Sequence, residues 1–162
     1  YYAEGKEKII VELKGWKICP MVCYDLRFPV WSRNKVRSEK LEVGSRKLEG
    51  GSETVNYDYD VLIYVANWPE RRSHAWKTLL LARAIENQCY VVGINRIGKD
   101  GKEITYSGDS AVINAKGEVI NTTKAYEEKA ETITISLNEF AEFRKQFPVF
   151  LDADEFELKR NT

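Results

Sequence analysis

Cys23 is the residue whose type and position point most directly to chemistry. It lies in the run V-C-Y-D-L-R-F-P, residues 22–29, between an apolar stretch that predicts a buried strand and a stretch that predicts a short helix or turn. Such a junction exposes a nucleophile beside backbone N–H groups without a helical acceptor, and their dipoles favour a thiolate. The N–H of Tyr24 is a candidate donor to an oxyanion. Spacing alone leaves open the alternative of an inert core cysteine.

A second group of candidate residues follows the apolar segment 60–67. Arg71 and Arg72 precede a helix predicted to start near Ser73, and cations beside a helix N-terminus make a natural site for a carboxylate. We therefore hypothesise that one of these arginines binds a carboxylate ligand. The alternative is a solvated, non-functional pair.

Other chemistries find less support in the residue types. Cys19, Cys23 and Cys89 are odd in number and not closely paired, which argues against a disulfide framework. A thiol redox sensor at Cys23 remains a weaker alternative. The single histidine, His74, and the scattered cysteines offer no set of three or four metal ligands, so no metal is expected.

The elements that must position these residues are predicted from periodicity. Apolar and alternating runs indicate an α/β fold, a mixed α+β arrangement in which strands alternate with helices early and become hairpins late. The charged, glycine-containing segment 35–56 predicts a surface loop. We expect strands at 8–13, 16–24, 60–67, 90–95 and 132–136, a hairpin over 110–122, a helix over 73–88 with Ser73 as its N-cap, and a helix over 138–146.

Composition restricts the class of partner. The chain has 162 residues, 43% hydrophobic and 31% charged, which suits one globular domain over residues 1–162. Its formal net charge of zero gives no global field for nucleic acid or an anionic membrane. No apolar run approaches the roughly 20 residues of a membrane helix, so a soluble, cytoplasmic protein is expected.

Several segments together resemble one known family. Residues 15–34 (G-W-K-I-C-P-M-V-C-Y-D-L-R-F-P-V-W-S-R-N) resemble the nucleophile segment of the nitrilase, or carbon-nitrogen hydrolase, superfamily. Residues 60–98 resemble its next two landmarks, and Y-S-G-D-S-A at 106–111 its later pocket strand. The C-terminal run F-P-V-F-L-D-A-D-E-F is also similar. The resemblance covers nearly the whole chain, in order, except residues 35–56.

The resemblance implies the C-terminal portion of an α-β-β-α sandwich that uses no cofactor. It implies that Cys23 attacks a nitrile or amide carbon, that a glutamate moves protons and that a lysine stabilises the tetrahedral species. That glutamate and lysine are expected before residue 1, so the chain alone should be inactive. Asn67 and Trp68 are expected to line the pocket, with an ordinary packed turn as the alternative. A homodimer or larger assembly is expected by analogy.

The branch of the family is indicated by W-S-R-N followed by V-A-N-W-P-E-R-R and A-R-A-I-E-N-Q, which look most like omega-amidases. The implied substrates are the terminal amides of 2-oxoglutaramate or 2-oxosuccinamate, with a 2-oxo dicarboxylate and ammonia as products. Two alternatives stay open. One is an amidase or nitrilase of other specificity, and the other is a non-catalytic binding or assembly module that keeps the fold.

Overall fold

The structure is a computed structural model that describes residues 5, 7–39 and 54–154. The described residues fall into two compact units. The first comprises those within Tyr1–Lys35 and Tyr57–Ile135, and the second those within Val36–Asn56 and Ser136–Thr162. All the predicted site residues belong to the first unit.

The described elements follow one another as strands, short 3₁₀ helices and α-helices. The strands are β1 (Val11–Leu13), β2 (Trp16–Val22), β3 (Val36–Glu39), β4 (Thr54–Tyr57), β5 (Val61–Ala66), β6 (Tyr90–Asn95), β7 (Ile97–Lys99), β8 (Thr105–Ser107) and β9 (Ala111–Ile113). The α-helices are α1 (Pro29–Ser32), α2 (Ser73–Asn87) and α3 (Leu137–Gln146), and the 3₁₀ helices are Cys23–Arg27, Glu70–Arg72 and Val149–Asp152.

The first unit is built on a five-stranded sheet in the order β1-β2-β5-β6-β9. The three central strands, β2, β5 and β6, are parallel, whereas β1 and β9 are antiparallel to their neighbours. Parallel strands end at the same edge, so the residues that follow β2, β5 and β6 meet there. Pro20 is tolerated in β2 because the pairing with β1 ends at Ile18.

Helix α2 covers one face of this sheet. Its buried residues Trp76, Leu80 and Ala84 recur every four positions and therefore lie on one side of the helix. Fully burying a large apolar side chain stabilises the fold by roughly 1.5–3 kcal/mol. Leu80 and Trp76 approach Gly93 of β6 so closely that an added Cβ would lie 2.4 Å from Leu80 Cδ1. Glycine at this position thus lets the helix pack directly on the strand.

The start of α2 corrects one expectation. Arg72, not Ser73, is the N-cap residue, and no side chain caps the helix there. Ser73 is the first helical residue, and its hydroxyl donates to Asp109 Oδ2 at 2.8 Å. A long-range acceptor has thus displaced the local capping bond that the sequence pattern predicts.

The opposite face of the sheet is apolar and exposed. Val22, Val65 and Ile94 pair across three neighbouring strands, and they are 67%, 55% and 49% exposed. They form a continuous row, which we call the open row, because paired strands lie about 4.8 Å apart.

The second unit contains β3, most of β4, α3 and the last 3₁₀ helix. Its strands differ from the surface loop predicted for residues 35–56, because β3 and β4 at its two ends form a two-stranded sheet. Both contain β-branched residues that favour extended backbone. Residues 40–53 of the predicted loop lie outside the described part of the chain.

Residues 132–136, predicted as a strand, have no regular secondary structure. Helix α3 confirms the predicted second helix, with Ser136 Oγ accepting from the N–H of Glu139 at 3.3 Å. No helix in the described ranges has the length and hydropathy needed to span a membrane.

Candidate active site

Cys23 lies where β2 ends and the chain enters a 3₁₀ helix, here called the Cys23 turn (Cys23–Arg27). Its backbone φ is +39°, in the left-handed region that non-glycine residues rarely adopt. Such a conformation costs about 1–3 kcal/mol and persists only where the surroundings impose it. The side chain is half-buried, whereas Cys19 and Cys89 are fully buried. Among the three cysteines, Cys23 alone is accessible to a ligand.

Two hydrogen bonds fix the Cys23 turn on either side of the cysteine. Before it, the N–H of Val22 donates to Asp25 Oδ2 at 2.9 Å. After it, the carbonyl of Leu26 accepts from Nη2 of Arg83, on helix α2, at 2.6 Å. The Leu26 side chain is fully buried in the core beneath the turn. Asp25 therefore braces the turn.

Asn95, the last residue of β6, joins two loops at the carboxyl edge of the sheet. Its Oδ1 accepts from the N–H of Trp68 at 2.7 Å, and its Nδ2 donates to the carbonyls of Trp68 at 3.0 Å and Gly108 at 2.8 Å. The side chain is buried. The amide thus uses its acceptor and both donor hydrogens to fix the turn after β5 against the loop after β8.

Trp68 connects this junction to the Cys23 turn. Its ring is buried, and its Nε1 donates to the carbonyl of Arg72 at 2.8 Å. The ring centroid lies 4.8 Å from Cζ of Arg27, the last residue of the Cys23 turn, and 5.5 Å from the centroid of Trp76. A guanidinium at that distance is attracted by the ring quadrupole. Arg27 therefore holds the Cys23 turn against the loop after β5.

Tyr106 of β8 is a buried phenol with two charged neighbours, Asp100 and Arg96. Burial, followed by the hydrogen bond to Asp100, raises the pKa of the Tyr106 phenol, and the charge of Cys23 adds a smaller contribution. The phenol donates to Asp100 Oδ2 at 3.0 Å, and Cζ of Arg96 lies 4.8 Å from its ring centroid. Asp100 and Arg96 thus fix the orientation of the Tyr106 ring on the two-stranded sheet of β7 and β8.

Asp109 fixes the start of helix α2 against the loop after β8. Its Oδ2 accepts from the hydroxyls of Ser73 at 2.8 Å and Ser107 at 2.5 Å, and its carbonyl accepts from Trp76 Nε1 at 2.9 Å. Burial raises the pKa of Asp109, but the bonds from Ser107 and Ser73 and the charge of Lys77 together hold it below its usual value. Its carboxylate is therefore a fixed part of the scaffold.

A cleft of about 780 Å³ opens beside the carboxyl edge of the sheet. Asn67, Asn95 and Arg96 line one end, and Ile133 and Glu131 lie on another side. Glu131 accepts from the hydroxyl of Thr123 at 2.7 Å, and bonds from Thr123 and Thr122 lower the pKa of Glu131 to about 2. Cys23 is not among the described residues that line this cleft.

The predicted site residues therefore lie in two different places, the Cys23 turn and the loop after β5. Cys23 and Tyr24 lie together on the Cys23 turn, and the ring of Tyr24 meets that of Phe28 edge-on. Asn67 is exposed and lines the cleft, whereas its neighbour Trp68 is buried and touches the Cys23 turn through Arg27.

Arg71 and Arg72 are exposed on the 3₁₀ helix before α2, as is His74 on the helix itself. The part of the chain that the structure describes contains no cluster of three or more metal-ligating side chains.

Sequence reasoning gave no site role to Asn95 or Arg83, and it placed Tyr106 only within a run that resembles a pocket strand of the family. One signal was available for the first: Asn95 is the polar end of the otherwise apolar strand Y-V-V-G-I-N. No comparable signal exists for the contact of Arg83 with Leu26, which lies 57 positions away along the chain.

The profile of the carbon-nitrogen hydrolase family matches residues 1–145. The chain belongs to this family. An omega-amidase of Escherichia coli K12 is 48% identical over 158 residues, covering 98% of this chain and 54% of the relative. A 2-oxoglutaramate amidase of Bacillus subtilis is 35% identical, covering 94% of this chain and 51% of the relative.

The likeness extends to solved structures of carbon-nitrogen hydrolases. A superfamily protein from Xanthomonas campestris with an arsenic adduct in its active site is 46% identical, with a TM-score of 0.82 over 98% of this chain and 54% of that one. The Nit3 protein of Saccharomyces cerevisiae shares the fold at 21% identity and a TM-score of 0.64, over 91% of this chain and 47% of its own.

These comparisons confirm the predicted family resemblance and the nitrilase-like α/β fold class. This carbon-nitrogen hydrolase chain spans about half the length of the curated relatives it matches.

Proposed function

We propose that this chain carries the nucleophile of an amidase that cleaves a small carboxamide to a carboxylate and ammonia. The observation that carries the proposal is the left-handed conformation of Cys23, at the carboxyl end of a parallel strand and the start of a 3₁₀ helix. Strain of this kind concentrates at functional residues. The similarity to omega-amidase and 2-oxoglutaramate amidase relatives supports the amidase reaction.

In the proposed reaction, the Cys23 thiolate attacks the amide carbon and forms a tetrahedral intermediate. The N–H of Tyr24 donates to the oxyanion, since the first N–H groups of a helix have no intrahelical acceptor. The C–N bond breaks, the nitrogen takes a proton and leaves as ammonia, and a thioester remains on Cys23. Water then attacks the thioester, which releases the carboxylate and regenerates the thiol.

Proton transfer and stabilisation of the tetrahedral species require the glutamate and lysine implied by the family resemblance. In this proposal both come from residues outside the 162-residue chain, since Glu4, Glu12, Lys14 and Lys17 match neither motif. The activity therefore belongs to the full-length protein, and the chain alone is proposed to be inactive.

The proposed substrate is the terminal amide of 2-oxoglutaramate or 2-oxosuccinamate. Both carry a carboxylate remote from the amide, which requires a cation for recognition. Arg71 and Arg72 are the proposed partners, since both are exposed and precede helix α2. Asn67 and Trp68, between β5 and these arginines, are proposed to line the pocket.

The test is ammonia release from a panel of amides by the full-length protein and by its Cys23→Ala variant. We expect 2-oxo dicarboxylic monoamides to be the best substrates and the variant to be inactive. Mass spectrometry of a slow-turnover mixture should find an acyl adduct on the peptide containing residue 23. Activity that survives in Cys23→Ala, or an adduct on another residue, would exclude Cys23 as the nucleophile.

A further inference from the structure

Arg83 is a buried cation at the centre of helix α2. It is 3% exposed, and it donates from Nη1 to Glu86 Oε1 at 2.8 Å and from Nη2 to the carbonyl of Leu26 at 2.6 Å. Removing a guanidinium from water costs several kcal/mol unless strong hydrogen bonds offset the loss. Arg83 therefore differs from the other buried residues of α2, none of which carries a charge: Trp76, Leu80, Ala84 and Asn87.

The acceptor of Arg83 belongs to the Cys23 turn. Leu26 is its fourth residue, and a carbonyl near the end of a helix has no intrahelical donor. Arg83 supplies that donor, with a charge of the sign that favours a helix C-terminus. The bond joins α2 to the turn across 57 positions of sequence, while the Leu26 side chain is fully buried below it.

The bond between Arg83 and Leu26 matters because Cys23, in the same turn, has a strained backbone conformation. A residue at φ +39° returns to a lower-energy conformation unless the chain on both sides is held. On the strand side, Asp25 accepts from Val22, a contact within the turn itself. On the other side, Arg83 ties the turn to the rigid helix. The Arg83–Leu26 bond is thus the long-range polar contact through which α2 fixes the backbone next to the sulfur.

We propose that Arg83 is a positioning residue for the amidase, which holds the Cys23 turn so that the thiol faces the free backbone N–H groups. The inference rests on the proposed function for its kinetic readout only. Because misplacing a reacting atom by about 1 Å can cost about 100-fold in rate, loss of Arg83 acts on kcat rather than on KM.

The experiment compares Arg83→Met, Arg83→Lys and the matched control Glu86→Gln in the full-length protein. The first removes the donor to Leu26, the second keeps a shorter cationic donor, and the third removes only the ion-pair partner. Two quantities are measured: kcat and KM for 2-oxoglutaramate, and the rate at which iodoacetamide labels each cysteine. Cys19 and Cys89 are fully buried, so their labelling reports loss of the fold.

We expect Arg83→Met to lower kcat by about 100-fold with KM within about 3-fold, and to slow the labelling of Cys23 by at least about 5-fold, because the thiolate loses its N–H partners. Cys19 and Cys89 stay unlabelled. For both kcat and the rate of Cys23 labelling, Arg83→Lys should lie between Arg83→Met and the unchanged protein. Glu86→Gln should stay within about 3-fold of the unchanged protein in both quantities.

Unchanged kcat and Cys23 labelling in Arg83→Met would overturn the proposal. If Arg83→Met exposes Cys19 and Cys89, Arg83→Lys decides: slower Cys23 labelling with both buried cysteines protected supports the proposal, and unaltered labelling refutes it. Should the unchanged protein release no ammonia from any amide, the proposed function fails, whereas the labelling rates still decide the role of Arg83.

Discussion

The side-chain amide of Asn95 bonds both backbone polar groups of Trp68, with the N–H of Trp68 2.7 Å from Oδ1 and its carbonyl 3.0 Å from Nδ2. The amide thus makes the hydrogen bonds that the backbone of a neighbouring strand would make if the sheet continued beyond this point. Through Trp68 and Arg27, it is connected to the Cys23 turn.

Replacing Asn95 by aspartate tests this junction without changing the shape of the side chain. The carboxylate still accepts from the Trp68 N–H but leaves the carbonyls of Trp68 and Gly108 without a donor. Each buried, unsatisfied group costs about 1–3 kcal/mol, so the free energy of unfolding should fall by about 2–6 kcal/mol in urea titrations. Asn138→Asp, at an exposed position of α3, should change it by less than about 0.5 kcal/mol. Equal effects would contradict the role of Asn95.

Glycine and alanine at position 23 should reverse their usual order of stability. Glycine adopts a positive φ without steric cost, so Cys23→Gly should be more stable than Cys23→Ala by about 1 kcal/mol. At exposed Thr78, within α2, the same pair should differ by about 1 kcal/mol in the opposite direction. Denaturant unfolding of the four variants gives both differences. Cys23→Ala as the more stable form would show that the left-handed conformation is not maintained.

The stability contributed by Asp109 should depend on pH with a defined sign. Its pKa is lowered in the folded chain, so its contribution is present above the unfolded pKa of about 3.9 and is lost as pH falls through the lower folded value. Asp109→Asn should cost about 1 kcal/mol at pH 7, and this difference should shrink below about pH 4. Asp152→Asn, at an exposed position, serves as the surface control at each pH. A constant difference for Asp109→Asn from pH 7 to pH 3 would contradict the assignment.

The proposed binding of the substrate carboxylate by Arg71 and Arg72 can be separated from general damage by comparing two amides. Each alanine variant should raise KM for 2-oxoglutaramate by about 10-fold or more, since a hydrogen bond to a charged group contributes about 1.5–3 kcal/mol. KM for a neutral amide of similar length should stay within about 2-fold. Similar changes for both amides would remove these arginines from the carboxylate site.

The sheet and α2 could be predicted because their patterns are local. The strands at 61–66 and 90–95 and the helix at 73–87 follow apolar periodicities, and β2 ends within two residues of the predicted point. The prediction of a strand at residues 132–136 was wrong for a related reason. Ile133 and Ile135 alternate with exposed threonines as in a strand, but this pattern also suits an extended segment packed on one side without a ladder partner.

The polar contacts of the site could not be predicted, because they depend on sheet register and long-range packing. Cys23 could be placed at a strand end, but its positive φ and the bond from Arg83 to Leu26, across 57 positions of the chain, have no local signal. Ser73 has the residue type of an N-cap, yet Asp109, which lies 36 positions away, accepts its hydroxyl. Local propensity cannot report an acceptor that folding brings from elsewhere.

The open row of Val22, Val65 and Ile94 has a practical consequence for work with these 162 residues in isolation. Adjacent exposed apolar side chains favour association between copies of the chain, and the formal net charge of zero provides no long-range repulsion. Solubility during purification would therefore depend more on keeping that surface covered than on the stability of the fold.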